Sequence, residues 1–417
     1  MSEADNVAVM WEWRGRVRLW RWMAVVLGAL ALVAGAHGCG GGGSAGTHGV
    51  QAEGGSGGSK ASTPTAGLGL AFLGPLTGDL ANIGQAGRDA VQLAIDQANA
   101  SGDLPVRLAV KVVDTQLDPA QAQRLTVDVL GDASIVGVIG PLSSGEVKAA
   151  APTLDDGGMS FVTVASNPDL ARQGWKAFHR LIANDEIQSR EVAGYIAAVL
   201  RARTVSVIHD NTEYGKGLAT LTTAALRDHG VDVEIDVIDP KALDYSAAVN
   251  GVKARRPDVV FYGGYYPEAG RLVKQLRDAG MAARFVSGDA SKDPGIGQGG
   301  GKAAEGVQAT CACADPALQQ NPAARSFIAA YQERFGRPPQ LYSAEMYDGA
   351  TVLIDAIRRG AHTRQTVLEN LKGGHVTGVT KTFSFQPDGE VGAGSVYVYE
   401  FRAGAFTSLG TTADLAR

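Results

Sequence analysis

The 417-residue chain is 45% hydrophobic and carries a formal charge of -5, with no basic block. It is long enough for two or three domains with substantial cores, and its mildly acidic balance speaks against nucleic acid as a partner. Its three cysteines fall in no metal-ligand spacing and its histidines have no paired carboxylate, so neither a metal site nor a cofactor is expected.

The chain opens with Arg14, Arg16, Arg18 and Arg21 ahead of an apolar run from Met23 to Ala36, followed by His37-Gly38-Cys39. A basic stretch, a short apolar core and small residues make residues 1–38 a secretory signal, too short for a comfortable membrane span. Cysteine directly after such a run resembles the bacterial lipobox, in which the mature N-terminal cysteine is lipidated. Gly38 and Cys39 fit that pattern, while Ala36 and His37 stand where it favours Leu and a small residue. Residues 39–66 are dominated by Gly, Ser, Ala and Thr without apolar period and read as a tether with a reach of roughly 30 Å.

The folded part begins with a strand at 68–73, the turn Gly74-Pro75-Leu76-Thr77-Gly78 and a helix over 82–100. A strand at 107–114, a helix at 119–130, and strands at 135–139 and 161–164 follow. A second series predicts helix 186–201, strand 204–209, helix 215–229, strands 231–238 and 259–262 around another helix, helix 267–280 and strand 284–287. Helices at 322–335, 343–360 and 363–371 come next, and two hairpin-like strands near 382–385 and 395–401 close the chain. Strands alternating with helices mean parallel α/β sheets, and two such series suggest two lobes with a cleft between them.

Ile135-Val136-Gly137-Val138-Ile139 breaks at Gly140-Pro141 into Leu142-Ser143-Ser144-Gly145 and a helix. Such a junction aims unpaired N–H groups and the positive end of a helix dipole at one point, where a carboxylate or phosphate can sit. Ser143 and Ser144 are therefore candidate anion-binding donors, or one of them is simply the helix cap. Val164-Ala165-Ser166-Asn167 leaves its strand in the same way, placing two hydroxyl-bearing turns side by side. An enzyme is not expected. The first strand-turn lacks the dinucleotide glycine pattern, no P-loop lysine appears, and Leu142 and Glu146 flank Ser144 where a nucleophile elbow needs glycines. Cys311 and Cys313, two residues apart, are poorly spaced to bond each other and are expected as small buried residues.

His209-Asp210-Asn211-Thr212-Glu213-Tyr214-Gly215-Lys216-Gly217 and Phe261-Tyr262-Gly263-Gly264-Tyr265-Tyr266-Pro267-Glu268, together with the Gly74 and Ser143-Ser144 turns, closely resemble the leucine/isoleucine/valine-type periplasmic binding proteins of ABC transporters. The resemblance spans residues 67–417. It implies a type I Venus-flytrap fold with three hinge crossovers, lobe 1 holding 67–181 and 313–390 and lobe 2 holding 186–310 and 395–417, with the cysteines at a crossing. Closure around a ligand is the motion it implies.

By the same resemblance Ser144 and Ser166 bind a ligand α-carboxylate beside the backbone of Val164 and Ala165. Tyr214 reaches that carboxylate from the other lobe, Asp289 pairs with the α-ammonium, and Ile83 and Tyr265 line the side-chain pocket. Well-known members carry a larger aromatic at the Ile83 position, a glutamate at the Asp289 position and, in some, a lobe 1 disulfide that is absent here. The implied function is capture of a small, branched-chain or similar aliphatic amino acid for an ABC importer. The implied partners are permease subunits and, through Cys39, the outer face of the bacterial membrane; the protein itself is expected to be a monomer. A sensor or carrier for urea, a short amide or an aromatic acid is the alternative on the same fold.

Overall fold

The computed structural model describes residues 67–417 apart from Gln320 and Ala393; the signal segment, Cys39 and the tether lie outside the described residues. Strands β1 (Leu68–Gly74), β2 (Leu108–Asp114), β3 (Ile135–Ile139), β4 (Phe161–Thr163) and β5 (Phe178–Arg180) form an all-parallel sheet in the order β2-β1-β3-β4-β5. The order reverses beside β1, so the turns after β1 and β3 open onto a crevice at the carboxyl ends of the strands. Helices α1 (Ala81–Ser101), α2 (Pro119–Gly131) and α3 (Ser144–Asp156) connect them. The buried stripe of α1, Ile83, Ala90, Val91, Leu93 and Ala94, faces the core. Its first turn lies so close to the Gly74–Gly78 loop that a Cβ on Gly84 would stand 1.7 Å from the Pro75 carbonyl oxygen. Only glycine fits there.

The second sheet runs β14-β13-β10-β9-β8-β6-β7. Its parallel part is β6 (Thr204–His209), β7 (Asp232–Val237), β8 (Val259–Gly263), β9 (Arg284–Ser287) and β10 (Gln308–Cys311). Helices α4 (Asp185–Gly194), α5 (Glu213–Asp228), α6 (Ser246–Arg255), α7 (Tyr266–Asp278) and α8 (Ile296–Gly300) belong to this series. The chain then returns to the first sheet. Of α9 (Pro322–Phe335), α10 (Ser343–Arg358) and α11 (Arg364–Leu371), α10 lies across β3 and β4, with Leu353 against Gly137 and Gly349 against Val162 and Leu181. Since β5 precedes α4, β10 precedes α9, and β13 rejoins the second sheet, the chain passes between the sheets three times.

Three sequence expectations change. The two closing strands do not pair with each other: β12 (Thr382–Phe383) pairs with the two-residue β11 (Val376–Thr377), while β13 (Tyr397–Arg402) runs antiparallel to β10 and to β14 (Ala405–Thr411). A two-residue strand is too short to show a period, and β14 is half-exposed along its length, which blurs its alternation. The helix expected over 186–201 is α4 followed by a π-helical turn, Tyr195–Val199. Cys311 and Cys313 are bonded to each other. Residues two apart at a strand end point to the same face, and their Cα atoms stand 5.0 Å apart, inside the range a disulfide spans.

Candidate binding site

The turn after β3 divides its two serines between two jobs. Ser143 is the helix cap: its Oγ accepts from the Glu146 N–H at 3.2 Å, and its own N–H donates to Glu146 Oε2 at 3.0 Å, a reciprocal capping box. Ser144, the first residue of α3, is left to face the crevice, its Oγ accepting from the Asn167 N–H at 3.2 Å. Among the hydrogen bonds of the described residues, the N–H groups of Ser144, Gly145 and Ser166 find no protein acceptor. They point, with the hydroxyls, to an anion.

Seven of the eight expected ligand residues, Ile83, Ser144, Val164, Ala165, Ser166, Tyr214 and Tyr265, line one cavity between the two sheets. Leu117, Leu142, Ser143, Ala290 and Tyr342 complete its wall. Its void is about 30 Å³, and a vestibule of about 450 Å³ shares Leu117, Ser143, Tyr214 and Tyr265 with it. The Tyr214 and Tyr265 rings lie 5.5 Å apart, centroid to centroid, at the ends of α5 and α7.

Asp289, the eighth residue, stands one layer behind this wall. It is fully buried on the turn after β9, and both of its oxygens are engaged by wall residues: the Tyr214 hydroxyl donates to Oδ1 at 2.5 Å and the Tyr342 hydroxyl to Oδ2. Burial and the Asp289 charge raise the Tyr214 and Tyr342 hydroxyls well above the ordinary phenol range, so both stay protonated donors. Tyr342 sits just ahead of α10 in left-handed backbone, φ 61°.

Asp185, at the start of α4, was not expected from the sequence. Its carboxyl is fully buried, neither oxygen has a hydrogen-bond partner among the described residues, and its N–H donates to the Ser166 carbonyl at 2.9 Å. Burial above all, then the Asp289 charge, pushes it up to about 8 against the pull of Ser166 and Arg180. The sequence around it offers only an acid in a first helical turn, which reads as a dipole partner.

A pH dependence follows. Burial also pushes Asp348 and Glu268 up to about 7, and Asp210 to about 6. An unfolded carboxyl titrates at about 4, so between these values the folded chain holds protons that the unfolded chain releases, and stability falls as pH rises. His179, buried neutral and pushed down to about 4, works in the opposite direction, but only below its unfolded value of about 6.5. The melting temperature is therefore expected to drop from pH 6.5 to pH 8.5, with a shallower drop in Asp185→Asn. A flat profile in scanning calorimetry would contradict this.

The two sides of the cleft also touch directly. Lys148 on α3 pairs with Glu213 on α5 at 2.9 Å, Asn82 on α1 donates to Asp293 at 3.2 Å, and the Tyr266 hydroxyl on α7 donates to the Asp79 carbonyl.

Two sheets, one parallel and one parallel but for its β13–β14 edge, joined by three crossings and with a lined cavity between them, are the type I periplasmic-binding-protein fold. The family model described as periplasmic binding protein matches residues 68–405, and the chain belongs to that family. It is 28% identical over 340 residues to a leucine-, isoleucine-, valine-, threonine- and alanine-binding protein of Pseudomonas aeruginosa, covering 81% of this chain and 90% of the relative. A second Pseudomonas aeruginosa protein, named as an amino acid binding protein, is 30% identical over 80% of this chain and 89% of its own length. The crystal structure of the leucine binding protein LivK from Thermotoga maritima superposes with a TM-score of 0.78 at 26% identity, covering 82% of this chain and 98% of that one.

Proposed function

We propose that this protein is the extracytoplasmic substrate-binding component of an ABC importer, tethered to the outer face of the bacterial membrane through Cys39 and capturing a small aliphatic amino acid between its lobes. The carrying observation is the make-up of the cavity wall: hydroxyls and unpaired N–H groups of Ser144 and Ser166, and the Tyr214 and Tyr342 phenols, whose hydroxyls are backed by the buried Asp289 carboxylate one layer behind. A zwitterion needs both halves a few ångströms apart. Burying either charge alone is costly, so a ligand that satisfies both is what favours closure. The relatives named for aliphatic amino acids support the same reading.

The test is thermal unfolding of the protein, refolded to remove co-purified ligand, against the twenty amino acids, urea, short amides and aromatic acids. A ligand present at 100 times its dissociation constant adds about 2.7 kcal/mol to the folded state. Stabilisation by Ala, Val, Leu or Ile is expected. Stabilisation only by an amide or aromatic acid would keep the fold and replace the substrate, with a sensor or carrier as the reading.

A further inference from the structure

Arg180 ends β5 and is completely buried, and its guanidinium is almost fully used. Nε and Nη2 grip Glu390 at 3.0 and 3.1 Å, Nη2 also donates to the Asn167 carbonyl at 3.0 Å, and Nη1 donates to the Ala165 carbonyl. Two of those acceptors are carbonyls of the very loop that supplies Val164, Ala165 and Ser166 to the cavity. A trans peptide is planar, with its C=O and N–H pointing in opposite directions. Drawing the Ala165 carbonyl back onto Arg180 therefore turns the Ser166 N–H, which has no protein acceptor, away from Arg180 and toward the cavity. The next peptide is fixed in the same sense, its carbonyl on the Asp185 N–H and its N–H on Ser144 Oγ.

Glu390 adds a second connection. The Arg180 N–H donates to the Gly389 carbonyl at 2.8 Å, and a Cβ on Gly389, φ 80°, would stand 1.9 Å from the Phe178 carbonyl oxygen. This close approach brings Glu390 against β5 just before the chain crosses to β13. Glu390 Oε1 also accepts from Asn184 Nδ2 at 3.3 Å, and Asn184 caps α4 at the crossing that follows β5.

We infer that Arg180 is a positioning residue of the binding site, holding the Ala165–Ser166 peptide so that its N–H is presented to the ligand carboxylate, and that Glu390 fixes Arg180 in that posture from two of the three interlobe crossings. The inference rests on the amino-acid reading given above. Arg180 touches no ligand atom in it; it acts through the loop. Lysine in its place keeps the charge but replaces a planar fork by a single ammonium, which does not reproduce the bidentate grip on Glu390 together with two carbonyls.

The experiment combines calorimetric titration with L-leucine, L-valine and L-alanine and amide NMR of isotope-labelled full-length mature protein. In the unaltered protein the Ser166 amide resonance is expected to move downfield on saturation, as its N–H gains a carboxylate acceptor. Arg180→Lys is expected to bind at least tenfold more weakly and to lose most of that shift, with Glu390→Gln changed in the same direction by less. A Ser166 resonance that stays in place in the saturated, unaltered protein would overturn the inference, even if the variants fail to fold. So would a folded Arg180→Lys with unchanged affinity. Failure of the unaltered protein to bind any of the three amino acids would instead remove the functional reading on which the inference depends.

Discussion

Asp289→Asn is expected to weaken capture of L-valine or L-leucine roughly thirtyfold or more while leaving the melting temperature of the ligand-free protein nearly unchanged. Losing one partner of a desolvated charge pair costs about 2–5 kcal/mol, and Asp289 is the buried carboxylate directly behind the cavity wall, joined to it through the Tyr214 and Tyr342 hydroxyls. Asparagine keeps the shape. Its oxygen still accepts from Tyr214, and its amide can donate to the Tyr342 oxygen, so neither phenol is left without a partner in the core. Asp289→Ala would strand both hydroxyls, at about 1–3 kcal/mol for each buried group left unsatisfied. The amide substitution is therefore the cleaner separation of binding from folding. Titration calorimetry with both variants decides it: equal affinity in Asp289→Asn and the unaltered protein would mean that the ammonium is met elsewhere, with Asp185 the next candidate.

Tyr342→Ala is expected to change which amino acid binds best. The ring is part of the wall of the cavity that Ser144 and Ser166 also line, and its removal enlarges a void that now measures about 30 Å³. Each methylene accommodated in an apolar pocket is worth about 1–3 kcal/mol, so the ratio of leucine to alanine affinity is expected to rise by roughly 10–200-fold per methylene admitted. The ratio is the quantity to read, because the substitution also removes a donor from Asp289 and lowers affinity for every ligand. Alanine at φ 61° keeps some of the backbone cost that tyrosine carries there, but no ring to clash. An unaltered leucine to alanine ratio would show that Tyr342 is not what limits the pocket.

Much of this architecture was legible from residues alone. Apolar β-branched runs such as Ile135–Ile139, broken there by Gly140-Pro141, mark the parallel strands, and the hydroxyls that follow β3 and β4 mark Ser144 and Ser166 as crevice residues. What stayed hidden depends on distant parts of the chain meeting. Tyr342 precedes a helix that returns to the first sheet after the second is complete, so nothing local marks its ring as a cavity wall. Asp185 looks like any acid in a first turn until Asp289, a hundred residues later, is placed beside it. Arg180 lies on a three-residue strand, and its partner Glu390 comes from a loop. The bond between Cys311 and Cys313 differs from the expectation because an i, i+2 spacing at a strand end puts both side chains on one face, and a bend there brings their Cα atoms to 5.0 Å.

The bridges Lys148 to Glu213, Asn82 to Asp293 and Tyr266 to Asp79 join the two sides of the cleft through residues that do not line the cavity. In an opening equilibrium the apparent dissociation constant is the intrinsic one divided by the fraction of molecules already in the competent form. These contacts thus set a second dial on retention, separate from the chemistry of the pocket. Loosening them lowers the competent population and shortens residence of every ligand by the same factor, while the preference of one amino acid over another is untouched. Selectivity and grip can therefore change independently in this molecule, the first through the cavity wall and the second through side chains at its rim.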